Sequence, residues 1–79
     1  MPPRFDHGDI RHLLKHFGFQ RLGQTSFIYI GQTFGVNRTV KFDYHSDRTQ
    51  LKTGTARQIA KSLGFKDQQA MKDYINNDL

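Results

Sequence analysis

RTVKFDY, residues 38–44, alternates strictly between positions suited to a core and positions suited to water. Val40, Phe42 and Tyr44 share one face with Arg38, while Thr39, Lys41 and Asp43 share the other. A period of two is that of a strand buried on one side. Upstream, SFIYI at 26–30 is aromatic and β-branched and reads as a strand buried on at least one face. Gly31, Gly35 and Asn37 punctuate a turn around Phe34 between the two. Phe19 to Leu22 reads as a further short strand. The middle of the chain is therefore a meander of two or three antiparallel strands.

The flanks change to helical spacing. In DIRHLLKHF, residues 9–17, Ile10, Leu13, Leu14 and Phe17 form one stripe. Asp6 or Asp9 can cap this helix and Gly18 can end it. Residues 45–53 form a polar loop. A second helix runs from about Thr55 to Leu63, with Ala56, Ile59, Ala60 and Leu63 as its buried stripe and Gly64 as its stop. Asp67 can cap a third, 68 to about 76, with Ala70, Met71, Tyr74 and Ile75 on one face. The expected fold is α+β, in the order α-β-β-β-α-α, with a small antiparallel three-stranded sheet whose helices cover one face. Seventy-nine residues make a single domain, 1–79, with a small core.

Composition narrows the chemistry. There is no cysteine, so disulfides and thiolate metal sites are excluded; this fits a reducing cytoplasm. No apolar run approaches the roughly 20 residues of a membrane span, and MPPRFDHGD lacks the apolar segment of a secretory signal. The expectation is a soluble, cytoplasmic protein with no membrane partner. Twelve Lys and Arg against seven acids give a net charge of +5 and a sequence pI near 9.9. That balance favours a polyanionic partner. All seven acids are Asp.

Metal chemistry finds little support in the spacing. His12 and His16 stand at i, i+4, but Leu13, Leu14 and Lys15 lie between them where a zinc protease needs an acid. They read as two surface histidines, and no metal or other cofactor is expected. Ser26, Ser46 and Ser62 lack a nucleophile-elbow motif, and GQTFG at 31–35 is a turn rather than a phosphate loop. The basic helix start is more informative. QLKTGTARQIAKSLGF, residues 50–65, places Lys52, Thr53, Thr55, Arg57 and Lys61 at or beyond the mouth of a helix. Helix starts offer unpaired N–H groups and the positive end of the macrodipole, which suit phosphate. Arg21, Arg38 and Lys41 on the sheet extend this surface. RNA cleavage needs no outside nucleophile, because the 2′-OH is already in place. It does need a base, for which His45, between the last strand and that helix, is the candidate.

TVKFDYH followed by LKTGTARQIAKSLGF resembles the HicA family of small toxin mRNA interferases. The family's L-K-x-G-T-x-R-x-I-x-K-x-x-G signature is met by Leu51, Lys52, Gly54, Thr55, Arg57, Ile59, Lys61 and Gly64. IRHLLKHFGFQRLGQTSFIYI resembles the family's first helix, turn and strand more loosely, so the likeness covers residues 9–65 and leaves 67–79 outside. It implies a double-stranded-RNA-binding-like fold, metal-independent endoribonuclease activity, RNA as substrate and an antitoxin protein as partner. The family's catalytic histidine follows a glycine by two residues in G-S-H. Here the stretch is Gly23-Gln24-Thr25-Ser26, so Thr25 stands in its place. Threonine is no base near neutral pH, and His45 is the substitute. A non-catalytic nucleic-acid-binding module stays open beside the ribonuclease. So does a protein-interaction module or homodimer built on an exposed Met71, Tyr74 and Ile75.

Overall fold

The computed structural model describes residues 3–24 and 27–79. Helix α1 is His7–His16, followed by strands β1 (Gln20–Arg21), β2 (Ile28–Thr33) and β3 (Val36–Lys41), then helices α2 (Thr53–Ser62) and α3 (Gln68–Asp78). The strands form one antiparallel sheet in the order β1-β2-β3, with Tyr29 opposite Val40 and Gly31 opposite Arg38. This is the expected α+β architecture and element order.

Local chemistry explains where the boundaries moved. Helix α1 starts two residues early because Asp6 and Asp9 form a reciprocal box. Asp6 Oδ1 accepts from the Asp9 N–H at 2.8 Å, and Asp9 Oδ2 accepts from the Asp6 N–H at 3.1 Å. The expected turn over 31–37 shrinks to Phe34 and Gly35, both left-handed at φ +52° and +76°, as a two-residue hairpin turn matching the sheet's twist requires. Gly31 belongs to β2 because the Phe19 ring lies on it; a Cβ there would come within 2.7 Å of that ring. Helix α2 starts at Thr53 rather than Thr55, since the extended Lys52 takes the N-cap. Asp67 caps α3 as expected, accepting from the Ala70 N–H at 2.8 Å.

The inner face of the sheet presents Val40, Phe42, Thr33 and the half-buried Tyr29 to Ile10, Leu13 and Leu14 of α1 and Ala56, Ile59 and Ala60 of α2. Burying each large apolar side chain stabilises by about 1.5–3 kcal/mol. On the outer face Ile30, Gln32, Thr39 and Lys41 are exposed. The α3 stripe is not free: Met71 is fully buried, and Tyr74 and Ile75 pack on the core. No described helix is long and apolar enough to cross a membrane.

Candidate nucleic-acid interface

The chain leaves β3 still alternating. Phe42 points inward while Asp43 and His45 face solvent. The loop from 43 to 52 is then tied to the start of α1. The His7 N–H donates to the Thr49 carbonyl at 2.9 Å and the Gly8 N–H to the Asp47 carbonyl at 3.1 Å. In return the Leu51 N–H donates to the Phe5 carbonyl at 2.9 Å. The first-turn donors of α1, which have no partner inside their helix, thus anchor the loop. Gly8 permits this approach, since a Cβ there would meet the Asp47 Cβ at 3.0 Å.

Asp47 is the hub of the loop. It accepts two bonds from the Arg11 guanidinium, at 2.8 and 3.0 Å, and one from the Tyr44 hydroxyl at 2.6 Å. The Arg11 bonds, then Tyr44, hold its carboxyl at about 2. The same bond raises Tyr44 above its ordinary value. Exposed ion pairs usually contribute little; the forked geometry and the added hydroxyl make this one a positioning device.

Two histidines meet at the end of the strand. His7 is buried, its ring edge-on to Phe42 at 5.0 Å, and its Nδ1 accepts from the His45 N–H at 3.1 Å. Burial, then the neighbouring His45, pushes the His7 imidazole below its usual pKa, so the neutral ring needed as acceptor is favoured. The His45 side chain is 66 % exposed, with Nε2 3.3 Å from Asp43 Oδ2. His7, Asp43, His45, Lys52 and Thr55 line one groove of about 380 Å³. The start of α2 forms one wall. Among the described residues no side chain caps it, and its first turn holds no acid. Its N–H groups and the positive dipole end therefore stand beside the Lys52 ammonium.

The fold brings His45, Lys52 and Thr55 together and places Thr53 in the exposed first turn of α2. Other residues singled out in the sequence lie elsewhere. Arg57 and Lys61 line a second hollow with Lys66. Arg38 is half-buried: its Nε donates to Thr33 Oγ1 at 3.1 Å, and that hydroxyl donates to the Leu63 carbonyl at 2.6 Å. Arg21 donates to the Gln24 carbonyl at 2.9 Å and lies over the Tyr29 ring; Lys41 is exposed at the end of β3. Thr25 lies outside the described residues. His12 and His16 are separately engaged, with Arg11 at 3.2 Å and the Tyr74 hydroxyl at 3.0 Å. Among the described residues no three metal-ligating side chains gather. Spacing did not reveal His7, Arg11, Tyr44 or Asp47 as parts of the site. Three of their links join residues 36 or more positions apart. No family model, curated protein or solved structure matches the chain.

Proposed function

We propose that this chain is a cytoplasmic RNA-binding module of the HicA-like kind, gripping the phosphate backbone at the uncapped start of α2. The observation that carries this reading is the groove in which His45 and Lys52 flank that helix end. The net charge of +5 supports it, as does the helix signature from Leu51 to Gly64. The α-β-β-β-α order is that of a double-stranded-RNA-binding-like fold. Affinity is largely electrostatic and falls steeply with salt.

The Asp43–His45 pair favours a second reading on the same site, metal-independent RNA cleavage. A phosphate at the α2 start brings the adjacent ribose 2′-OH toward His45. The imidazole takes the 2′ proton as the 2′ oxygen bonds to phosphorus; the P–O5′ bond then breaks, the departing 5′ oxygen takes a proton from water, a 2′,3′-cyclic phosphate is left, and the Asp43 carboxylate at 3.3 Å stabilises the imidazolium. Lys52 and the helix N–H groups offset charge developing on the phosphorane. His7 holds the His45 backbone in place. In this reading His45 replaces the base that Thr25 cannot supply, and the natural partner is an antitoxin that covers the groove.

The test is end-labelled RNA incubated with the full chain in EDTA and resolved on a denaturing gel, beside His45→Ala and a salt-dependent binding titration. Binding with cleavage lost in the variant establishes the ribonuclease. Binding with intact RNA throughout leaves the module non-catalytic. Absence of binding at low salt overturns both readings.

A further inference from the structure

His7 opens α1 with a side chain that is only 7 % exposed. Its two ring nitrogens differ. Nδ1 accepts from the His45 N–H at 3.1 Å, so it carries no proton. A neutral imidazole that is bare at Nδ1 carries its proton at Nε2. One backbone hydrogen bond therefore fixes the tautomer and makes Nε2–H a donor. That donor has no acceptor among the described residues. The other neighbours of the ring are the rings of Phe42 at 5.0 Å, His45 at 5.7 Å and Tyr44 at 6.2 Å.

Nε2 is not sealed inside the core. Among the described residues, the buried side-chain N or O atom that lacks both a partner and accessible surface is Gln68 Oε1. The unpartnered Nε2 of His7 therefore keeps accessible surface. His7 lines the groove that it shares with Asp43, His45, Lys52 and Thr55, and that surface opens there. The groove thus gathers three kinds of donor: the Lys52 ammonium, the N–H groups of the uncapped α2 start, and the neutral N–H of a buried ring. Asp43 is the carboxylate among them, paired with His45 Nε2 at 3.3 Å. N–H groups and an ammonium suit an anion and cannot ligate a cation. Burial, then the neighbouring His45, favours the neutral form of His7 against the opposite pull of Asp43 and Asp6.

We infer that His7 Nε2–H donates to a non-bridging oxygen of an RNA phosphate held in this groove, so that one imidazole joins the phosphate to the backbone of His45. This contact rests on the RNA reading above and adds an uncharged donor to the site. A neutral donor contributes affinity through a hydrogen bond to a charged group. It displaces no counterion of its own, so it leaves the salt dependence alone.

The experiment reads the ring nitrogens directly. Long-range ¹H–¹⁵N spectra of the full chain, labelled at histidine, are recorded above the ordinary histidine pKa of about 6.5. The chain is studied alone, with inorganic phosphate, and with a short single-stranded RNA whose 2′-O-methyl riboses prevent cleavage. Anisotropy at several salt concentrations then compares wild type with His7→Asn, His7→Gln and Lys52→Gln, each checked for folding by circular dichroism. The shorter Asn amide can still serve the His45 N–H but leaves the Nε2 position empty. The longer Gln amide reaches the Nε2 position and gives up the bond to His45.

The expected result is an unprotonated Nδ1, with an Nε2–H signal that moves when RNA is added. His7→Asn should bind RNA about tenfold more weakly at unchanged salt slope, and His7→Gln should lose less. Lys52→Gln should lower the slope by about 0.7. A protonated Nδ1 overturns the contact without any ligand. An Nε2–H signal moved by inorganic phosphate but not by RNA makes this a free-phosphate site and overturns the RNA contact. Full RNA binding by His7→Asn, with the signal unmoved, overturns the contact and leaves the RNA reading intact. Weaker binding by His7→Gln than by His7→Asn means that His7 acts only through the His45 backbone, and overturns it too. No RNA binding by wild type overturns the RNA reading and this inference together.

Discussion

Replacing Lys52 by Asp should move stability and RNA binding in opposite directions. Lys52 occupies the N-cap of α2 in an extended conformation, makes no capping bond, and precedes a first turn without acids. An Asp there accepts from an orphan first-turn N–H, which stabilises by about 1 kcal/mol. Exchanging a cation for an anion at the positive end of the dipole adds about 0.5–1 kcal/mol. Asp43 in the same groove opposes this by about 0.5 kcal/mol. The net gain is about 1–1.5 kcal/mol, a rise of about 4–12 °C in Tm for a domain of this size. The same change shifts the groove by two charge units and removes the proposed phosphate contact. RNA binding should weaken at least about tenfold, with a salt slope lower by about 0.7. Lys52→Ser, a cap without the anion, should show a smaller effect in each assay. Thermal melts by circular dichroism and anisotropy at several salt concentrations measure both quantities. A raised Tm with unchanged RNA binding refutes the anion site, and a lowered Tm refutes the uncapped helix start.

Other perturbations probe the frame around the groove. Thr33→Val keeps the shape of a residue 1 % exposed but strips both Arg38 Nε and the Leu63 carbonyl of their partner. It should cost about 2 kcal/mol, read as a lower urea midpoint at unchanged slope, and a loss under about 0.5 kcal/mol would deny the buried link. Gly31→Val drives a side chain into the Phe19 ring and should cost about 1–3 kcal/mol; an unchanged midpoint would mean the ring moves freely. His7 has a folded pKa below its usual 6.5. Its contribution is whole above pH 6.5 and is lost as pH falls through the lower folded value. His7→Gln should flatten that part of the Tm profile, and an identical profile would remove His7 from the acid response. Asp47, held at about 2, contributes fully above its ordinary 3.8 and loses its hold on the loop as pH falls through about 2. The Tyr44 ring signals should shift over that lower range and stay constant above it.

Much of the fold was legible in the amino-acid order because its causes are local. The period of two across 38–44 placed Val40 and Phe42 inside, and the stripe of Ala56, Ile59, Ala60 and Leu63 defined the buried side of α2. Asp67 announced the start of α3. Where boundaries moved, a side-chain contact decided them: the Asp6–Asp9 box, Phe19 on Gly31, Lys52 at a cap it cannot serve. The basic helix start with His45 nearby was likewise visible as a cluster within one stretch of chain. What only the tertiary structure decided was which side chains complete that cluster and which leave it. His7 reaches His45 across 38 positions, Asp47 reaches Arg11 across 36, and Thr33 reaches Leu63 across 30. Arg38, read as a surface cation, became part of that last link, and Arg57 and Lys61 turned to a different hollow. Periodicity and capping act over one or two turns and leave their mark on residue order. Contacts between segments thirty positions apart exist only once the core has packed, so no spacing records them.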